Sequence, residues 1–138
     1  MFEWKDVYSV KISEIDSQHK QLFKIGENLA TAIKISDTET DHYDEIVRLI
    51  NELKSYTVYH FQHEESIMRK IGYANYENHK AEHDAFIEKI SELQKQDIYI
   101  NQKNAMMNIL TFILDWISKH ILKSDMAYTN QFKENGIF

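Results

Sequence analysis

Residues 46–68 read IVRLINELKSYTVYHFQHEESIM, and their register decides the fold. Ile46, Leu49, Ile50 and Leu53 recur three and four apart, the spacing that lines one face of an α-helix. The same stripe continues through Thr57, His60, Phe61, Glu64, Ile67 and Met68. A strand would alternate at every second residue, so the segment reads as one long amphipathic helix. Its inner edge carries an imidazole and a carboxylate four residues apart among aliphatic neighbours. Left unpaired in a core, each such group costs about 1–3 kcal/mol or more, so something must satisfy them.

Three more blocks repeat the pattern. Ile15, His19, Leu22, Phe23, Gly26, Leu29, Ala30 and Ile33 form the first, and Tyr76, His79, His83, Phe86, Ile90 and Leu93 the third. Met106, Ile109, Leu110, Ile113, Trp116, Ile117, His120 and Ile121 form the fourth. Proline is absent and there are 3 glycines, which favours long helices over a many-turned β fold. The blocks predict helices over roughly 16–35, 39–70, 76–95 and 103–127, within one domain covering 1–138. Asp16 is the expected cap of the first helix and Asp37 or Thr38 of the second. Arg69 and Lys70 suit the last turn of the second helix, with Gly72 in the left-handed position after it and Asn75 opening the third. Short links near 35–41, 70–76 and 95–103 make neighbours antiparallel. The expected architecture is all-α, an up-down-up-down four-helix bundle. Residues 1–14 form an N-terminal arm whose Phe2, Trp4 and Tyr8 are expected to pack on the outside.

Composition narrows the function. There is no cysteine, which excludes disulfides, iron–sulfur clusters, thiolate zinc sites and cysteine nucleophiles. The net charge of −6, with no basic cluster, argues against nucleic acid as a partner. No stretch approaches the ~20 apolar residues of a membrane span. The start, Met1-Phe2-Glu3-Trp4-Lys5-Asp6, carries acids and lacks the apolar run of a signal peptide, so the expected location is cytoplasmic.

The inner stripes hold five of the seven histidines. One buried histidine is usually a hydrogen-bonded core residue, but five on four facing stripes have too few separate partners. Neutral imidazoles with a few carboxylates are a donor set for iron and similar divalent metals. Residues four apart on a helix differ by about 40° and point the same way. His60 and Glu64 therefore share a face, and so do His79 and His83. Glu65, about 140° from the first of these, reads as solvated. His63 falls to the other side, and His42 lies several turns away. Asp125 is the awkward member. Five residues after His120, it is rotated by about 140° on a regular helix. Either the fourth helix bulges there, or the two side chains reach a shared site from different directions. Ser124, the i+4 alternative, is a poor metal ligand.

These residues resemble the hemerythrin family, in particular its single-domain bacterial members. The match lies in the Trp4 arm, Ile15-Asp16-Ser17-Gln18-His19, His60-Phe61-x-x-Glu64-Glu65, His79-x-x-x-His83 and Trp116-Ile117-x-x-His120-Ile121-x-x-x-Asp125. It spans essentially the whole chain. The resemblance implies two iron ions joined by an oxo or hydroxo bridge and by Glu64 and Asp125. His79, His83 and His120 would hold one iron, and His19 and His60 the other. The second iron then keeps an open position where O2 would bind. The five-residue offset of Asp125 from His120 is the family's own. Around the open position the family places apolar residues, which by matching are Ile117, with Trp116 and Ile121 nearby. One departure is Lys11, where many relatives have glycine.

The implied function is reversible O2 binding for storage, delivery or buffering, without catalysis, and with transient contact to an oxygen-using enzyme. A histidine-rich set with only two carboxylates favours reversal over oxygen activation. Two alternatives use the same ligands: a di-iron oxidase, peroxidase or nitric-oxide-handling enzyme, and an O2 or redox sensor. Beyond the seven donors no acid–base group is expected on the inner stripes, since Glu65, Asp84 and Lys123 point outward by register. The blandest reading is a bundle that binds metal for stability alone.

Overall fold

The computed structural model describes residues 3–35, 43–95 and 102–138. Secondary structure among these residues is entirely helical: a 3₁₀ turn at Asp6–Tyr8, then α1 (Ser13–Ile35), α2 (Tyr43–Ile71), α3 (Tyr76–Lys95) and α4 (Gln102–His120). A five-residue π turn, Ile121–Asp125, joins α4 to α5 (Met126–Glu134). The main packing contacts pair α1 with α2, α2 with α3, α3 with α4, and α4 with α1. That cyclic order is the up-down-up-down bundle expected from short connections. No helix among the described residues is long and apolar enough to cross a membrane.

The core follows the stripes. Ile15, Leu22, Leu29, Leu53, Ile90, Leu110 and Ile113 are buried. Gly26 marks a close approach of two helices, since a β-carbon there would come within 2.7 Å of the Leu114 side chain on α4. The connection from α2 to α3 also forms as its residues dictate. Gly72 takes φ +68°, the Gly72 N–H donates to the Arg69 carbonyl and the Tyr73 N–H to the Met68 carbonyl. That pair of bonds satisfies carbonyls the helix end would otherwise leave open.

Several boundaries differ from expectation. α1 begins at Ser13 because Asp16 does not cap it. The Asp16 carboxylate instead turns back to the arm, accepting from the Val10 N–H at 2.8 Å and the Ser9 hydroxyl at 2.5 Å. The start of α2 expected near 39, with its caps Asp37 or Thr38, lies outside the described residues. At the other end the helical run continues beyond 127 to Glu134, because Tyr128 and Phe132 extend the buried stripe.

The arm is also more deeply placed than an outer cover. Trp4 and Tyr8 do pack outside, on Phe23, with ring centroids 6.1 and 5.1 Å away. Val10 and Ile12, however, enter the core. Phe2 lies outside the described residues. Lys11, between the two core residues, sits at φ 60°. An L-residue pays about 1–2 kcal/mol for that conformation and glycine does not. The backbone thus explains why glycine suits this place.

Candidate metal centre

Five elements bring the seven donors to one level of the bundle. His19 comes from α1, His60 and Glu64 from α2, His79 and His83 from α3, His120 from the end of α4, and Asp125 from the π turn. All seven are buried. They form two groups of four in which one donor atom per residue lies within 4.8 Å of the others: His79, His83, His120 and Asp125, and His19, His60, Glu64 and Asp125.

The π turn resolves the awkward spacing. A π turn closes hydrogen bonds five residues apart, so residues five apart come into line. It occupies Ile121–Asp125, the stretch that brings Asp125 back beside His120. Of the two explanations the spacing left open, the helix bulges.

The two carboxylates each face both groups. Asp125 Oδ1 is 3.1 Å from both His79 Nε2 and His120 Nε2, while Oδ2 is 3.1 Å from His19 Nε2. Glu64 Oε1 is 2.5 Å from His60 Nε2, and Oε2 is 3.9 Å from His79 Nε2. In the three-imidazole group, His120 Nε2 is 3.0 Å from His83 Nε2 and 3.2 Å from His79 Nε2. Ligands at right angles on one ion, with bonds of about 2.1 Å, stand about 3.0 Å apart.

Hydrogen bonding does not account for this convergence. Both carboxylate oxygens of Glu64 and of Asp125, and His19 Nε2, are buried without a hydrogen-bond partner despite their short distances. Such atoms carry a desolvation penalty of about 1–3 kcal/mol each unless a cation satisfies them. The donor set therefore fits a pair of divalent metal ions.

Electrostatics of the metal-free cluster follow from burial and the carboxylates. Burial pushes His83 down to about 3 and also lowers His60. At His120 burial acts downward too, but Asp125, Glu64 and Glu82 outweigh it and the imidazole titrates above its ordinary value. Burial raises Asp125, yet the neighbouring histidines, His120 first, hold it well below the carboxylate range. At Glu64 burial and Asp125 act upward, and His60 reverses them.

Aromatic rings fix two of the imidazole planes. Phe61 stacks on His83 at 3.7 Å, and Trp116 stacks on His120 at 4.4 Å. Behind three imidazoles stand acceptors for the Nδ1 protons. His60 Nδ1–H donates to Gln18 Oε1 at 2.6 Å, His83 to Glu65 Oε2 at 2.8 Å, and His120 to Glu82 Oε2 at 3.0 Å. Glu65 is therefore not the solvated residue its register implied, since it turns sideways across the α2–α3 seam and is buried. Gln18 and Glu82 had no role in the sequence reading. The usable signal was that an imidazole with Nε2 turned inward needs an acceptor at Nδ1. His63 lies outside both groups, 3.2 Å from Gln18 and 3.4 Å from Glu14. Asp84 and Lys123 are exposed as expected, and His42 lies outside the described residues.

A cavity of ≈ 10 Å³ opens beside His19 and His60, also touching His120 and Asp125. Leu22, Phe61, Trp116, Ile117 and Ile121 close it. That is room for roughly one very small molecule. A larger groove of ≈ 570 Å³ between α2 and α3 reaches only the outer side of His83 and Glu65. Tyr128 was also missed. It is buried beyond the carboxylates with a hydroxyl that has no hydrogen-bond partner. Burial, then Glu64 and Asp125, pushes its ionisation well above the ordinary value, so it stays a neutral phenol.

Residues 10–131 match the hemerythrin HHE cation binding domain. The chain is 38% identical over 128 residues to a bacteriohemerythrin of Clostridium acetobutylicum, covering 93% of this chain and 98% of that protein. It is 33% identical over 122 residues to the bacteriohemerythrin of Methylococcus capsulatus, covering 88% of each. A crystal structure of wild-type hemerythrin superposes with a TM-score of 0.74 at 31% identity, covering 92% of this chain and 94% of that one. Seven inward donors on an antiparallel bundle, matched along nearly the whole length of such relatives, make this chain a member of the hemerythrin family.

Proposed function

We propose that this protein binds O2 reversibly at a di-iron centre, for oxygen storage, delivery or buffering. His79, His83 and His120 would hold one iron, His19 and His60 the other, and Glu64 and Asp125 would bridge them. When bound, such a centre supplies two electrons that O2 can take and give back on leaving. The observation that carries the reading is the unequal division of imidazoles around shared carboxylates, with the small cavity on the two-imidazole side.

The chain's own residues prepare that side. His19 and His60 present Nε2 atoms to one point, and Asp125 Oδ2 faces it from across the cluster. Leu22, Phe61, Trp116, Ile117 and Ile121 exclude water and anions, which limits irreversible oxidation. None of these five side chains is an acid or base, so the apolar wall adds no acid–base group to the seven donors. In this reading the protein works in the cytoplasm and hands O2 to an oxygen-using enzyme by transient contact.

Reduction of the iron-loaded protein without air, admission of O2 and its later removal test the reading in the visible spectrum. A coloured form that bleaches and returns over many cycles supports a carrier. One-way conversion to a ferric form with product release would make it an oxidase, and a colourless protein throughout would leave only structural metal.

A further inference from the structure

The residues behind the imidazoles differ in charge between the two groups. Carboxylates back two members of the three-imidazole group, Glu65 behind His83 and Glu82 behind His120. A neutral amide, Gln18, backs His60 in the two-imidazole group, while one imidazole of each group, His19 and His79, has no partner at Nδ1. Satisfying an Nδ1–H does not require a carboxylate, as Gln18 demonstrates at 2.6 Å. The charge of Glu65 and Glu82 is therefore an addition to simple pairing. A carboxylate acceptor draws the proton and makes the imidazole a stronger donor at Nε2.

The two carboxylates are held differently. Glu65 is 7% exposed at the wall of the α2–α3 groove, where Lys80 and Arg69 also line it, so water screens its charge less than that of an exposed carboxylate. Glu82 is 44% exposed, but the Ser124 hydroxyl donates to the same Oε2 at 2.6 Å and pins it against His120. Ser124 lies inside the π turn. The turn that aligns Asp125 thus also aims the clamp on Glu82.

We propose that Gln18, Glu65 and Glu82 are positioning residues that make the two metal positions electronically unequal. The carboxylates strengthen the three-imidazole group and favour the higher metal charge there, while the amide leaves the two-imidazole group the weaker donor. This inference rests on the ligand assignment proposed above.

The test uses the full chain loaded with iron, with iron content measured first. Glu65→Gln keeps an acceptor and removes only the charge. At a fixed potential in a dithionite titration it should raise the ferrous-to-ferric ratio about tenfold, the difference between a charged and a neutral hydrogen bond. Glu82→Gln should act in the same sense but less, because water screens it. Gln18→Glu should act in the opposite sense. Glu65→Ala should weaken ferrous binding about 10- to 100-fold in chelator competition. A merely structural role would leave the potentials of the Gln variants where they were. Two irons bound with unmoved potentials in Glu65→Gln, Glu82→Gln and Gln18→Glu would overturn the proposal and leave the ligand assignment standing. A parent chain that takes up no iron would overturn both. Should Glu65→Gln fail to fold, the exposed Glu82→Gln and Ser124→Ala still decide, since each changes only the surface side of His120.

Discussion

The two helices that each supply an imidazole and a carboxylate do so by different means. On α2, His60 and Glu64 are four apart on a regular helix and meet because the helix repeat brings them together. On the α4 side, His120 and Asp125 are five apart and meet only because the helix widens into a π turn between them. The first pairing is a property of an isolated helix. The second needs the rest of the molecule to hold a locally unfavourable turn. Beyond the turn, Tyr128 and Phe132 are buried in the core with their rings stacked at 4.1 Å. The Thr129 hydroxyl also donates to the Val10 carbonyl of the arm. A regular helix would swing Asp125 away and carry these contacts with it.

Inserting an alanine after Leu122, which is exposed on the π turn, is the strongest way to break this contrast. One residue more rotates everything after it by about 100°. Metal binding should be lost, and the fold should lose about 3–5 kcal/mol or more as the two aromatic rings leave the core. Metal analysis and thermal melting of the insertion variant check both, and a variant that binds metal like the parent would show the register of the turn to be dispensable.

Acid should separate the two helices next. In the metal-free protein His60 on α2 is lowered by burial, whereas His120 on α4 is raised by Asp125, Glu64 and Glu82. As pH falls, His120 should therefore take up its proton before His60 and His83, in the order read from the ring proton signals by NMR. The effect on stability follows in sign. Below about 6.5 the unfolded chain binds protons that folded His60 and His83 refuse, so stability falls from there toward pH 3. His120 opposes this, stabilising below about 6.5 and losing that contribution as pH rises through its folded value. Asp125 and Glu64, lowered in the fold, contribute above the unfolded carboxylate value near 4, and that contribution is lost with further acid. Two falling contributions against one rising one make acid destabilising, and the same protons compete with metal for the imidazoles.

Ile117→Ala probes a milder difference, the guarded side of the centre. Ile117 is 2% exposed and lines the small cavity from α4. Its truncation should admit water and speed irreversible oxidation of the oxygenated protein about tenfold. Unchanged oxidation kinetics would remove Ile117 from this role. The smallest effect is expected at Lys11→Gly. Relief of the positive φ should stabilise the arm that buttresses α5 by about 1 kcal/mol. A melting temperature that does not rise would mean the arm relaxes without loss.

What was legible divides along the same line. The stripe through Ile46, Leu53, His60 and Glu64 needed nothing but helical repeat, and so did the His79–His83 pair. Glu65 was misread because register on one helix says nothing about a neighbouring helix, and its partner His83 sits on α3. Gln18 and Glu82 were invisible for the same reason, since each acts across a seam. Asp16 has the chemistry of a cap, but its carboxylate met Val10 and Ser9 of the arm instead.

The order of apolar and polar residues, by itself, determined four helices, their antiparallel succession and most of the donors. Period and spacing are local quantities that any isolated helix obeys. Tertiary structure alone decided where α4 widens, which oxygen of Asp125 faces which imidazoles, and what stands behind each ring. Those depend on packing between segments far apart in sequence. A π turn or a sideways glutamate is held only when the contacts on both sides outweigh its local cost.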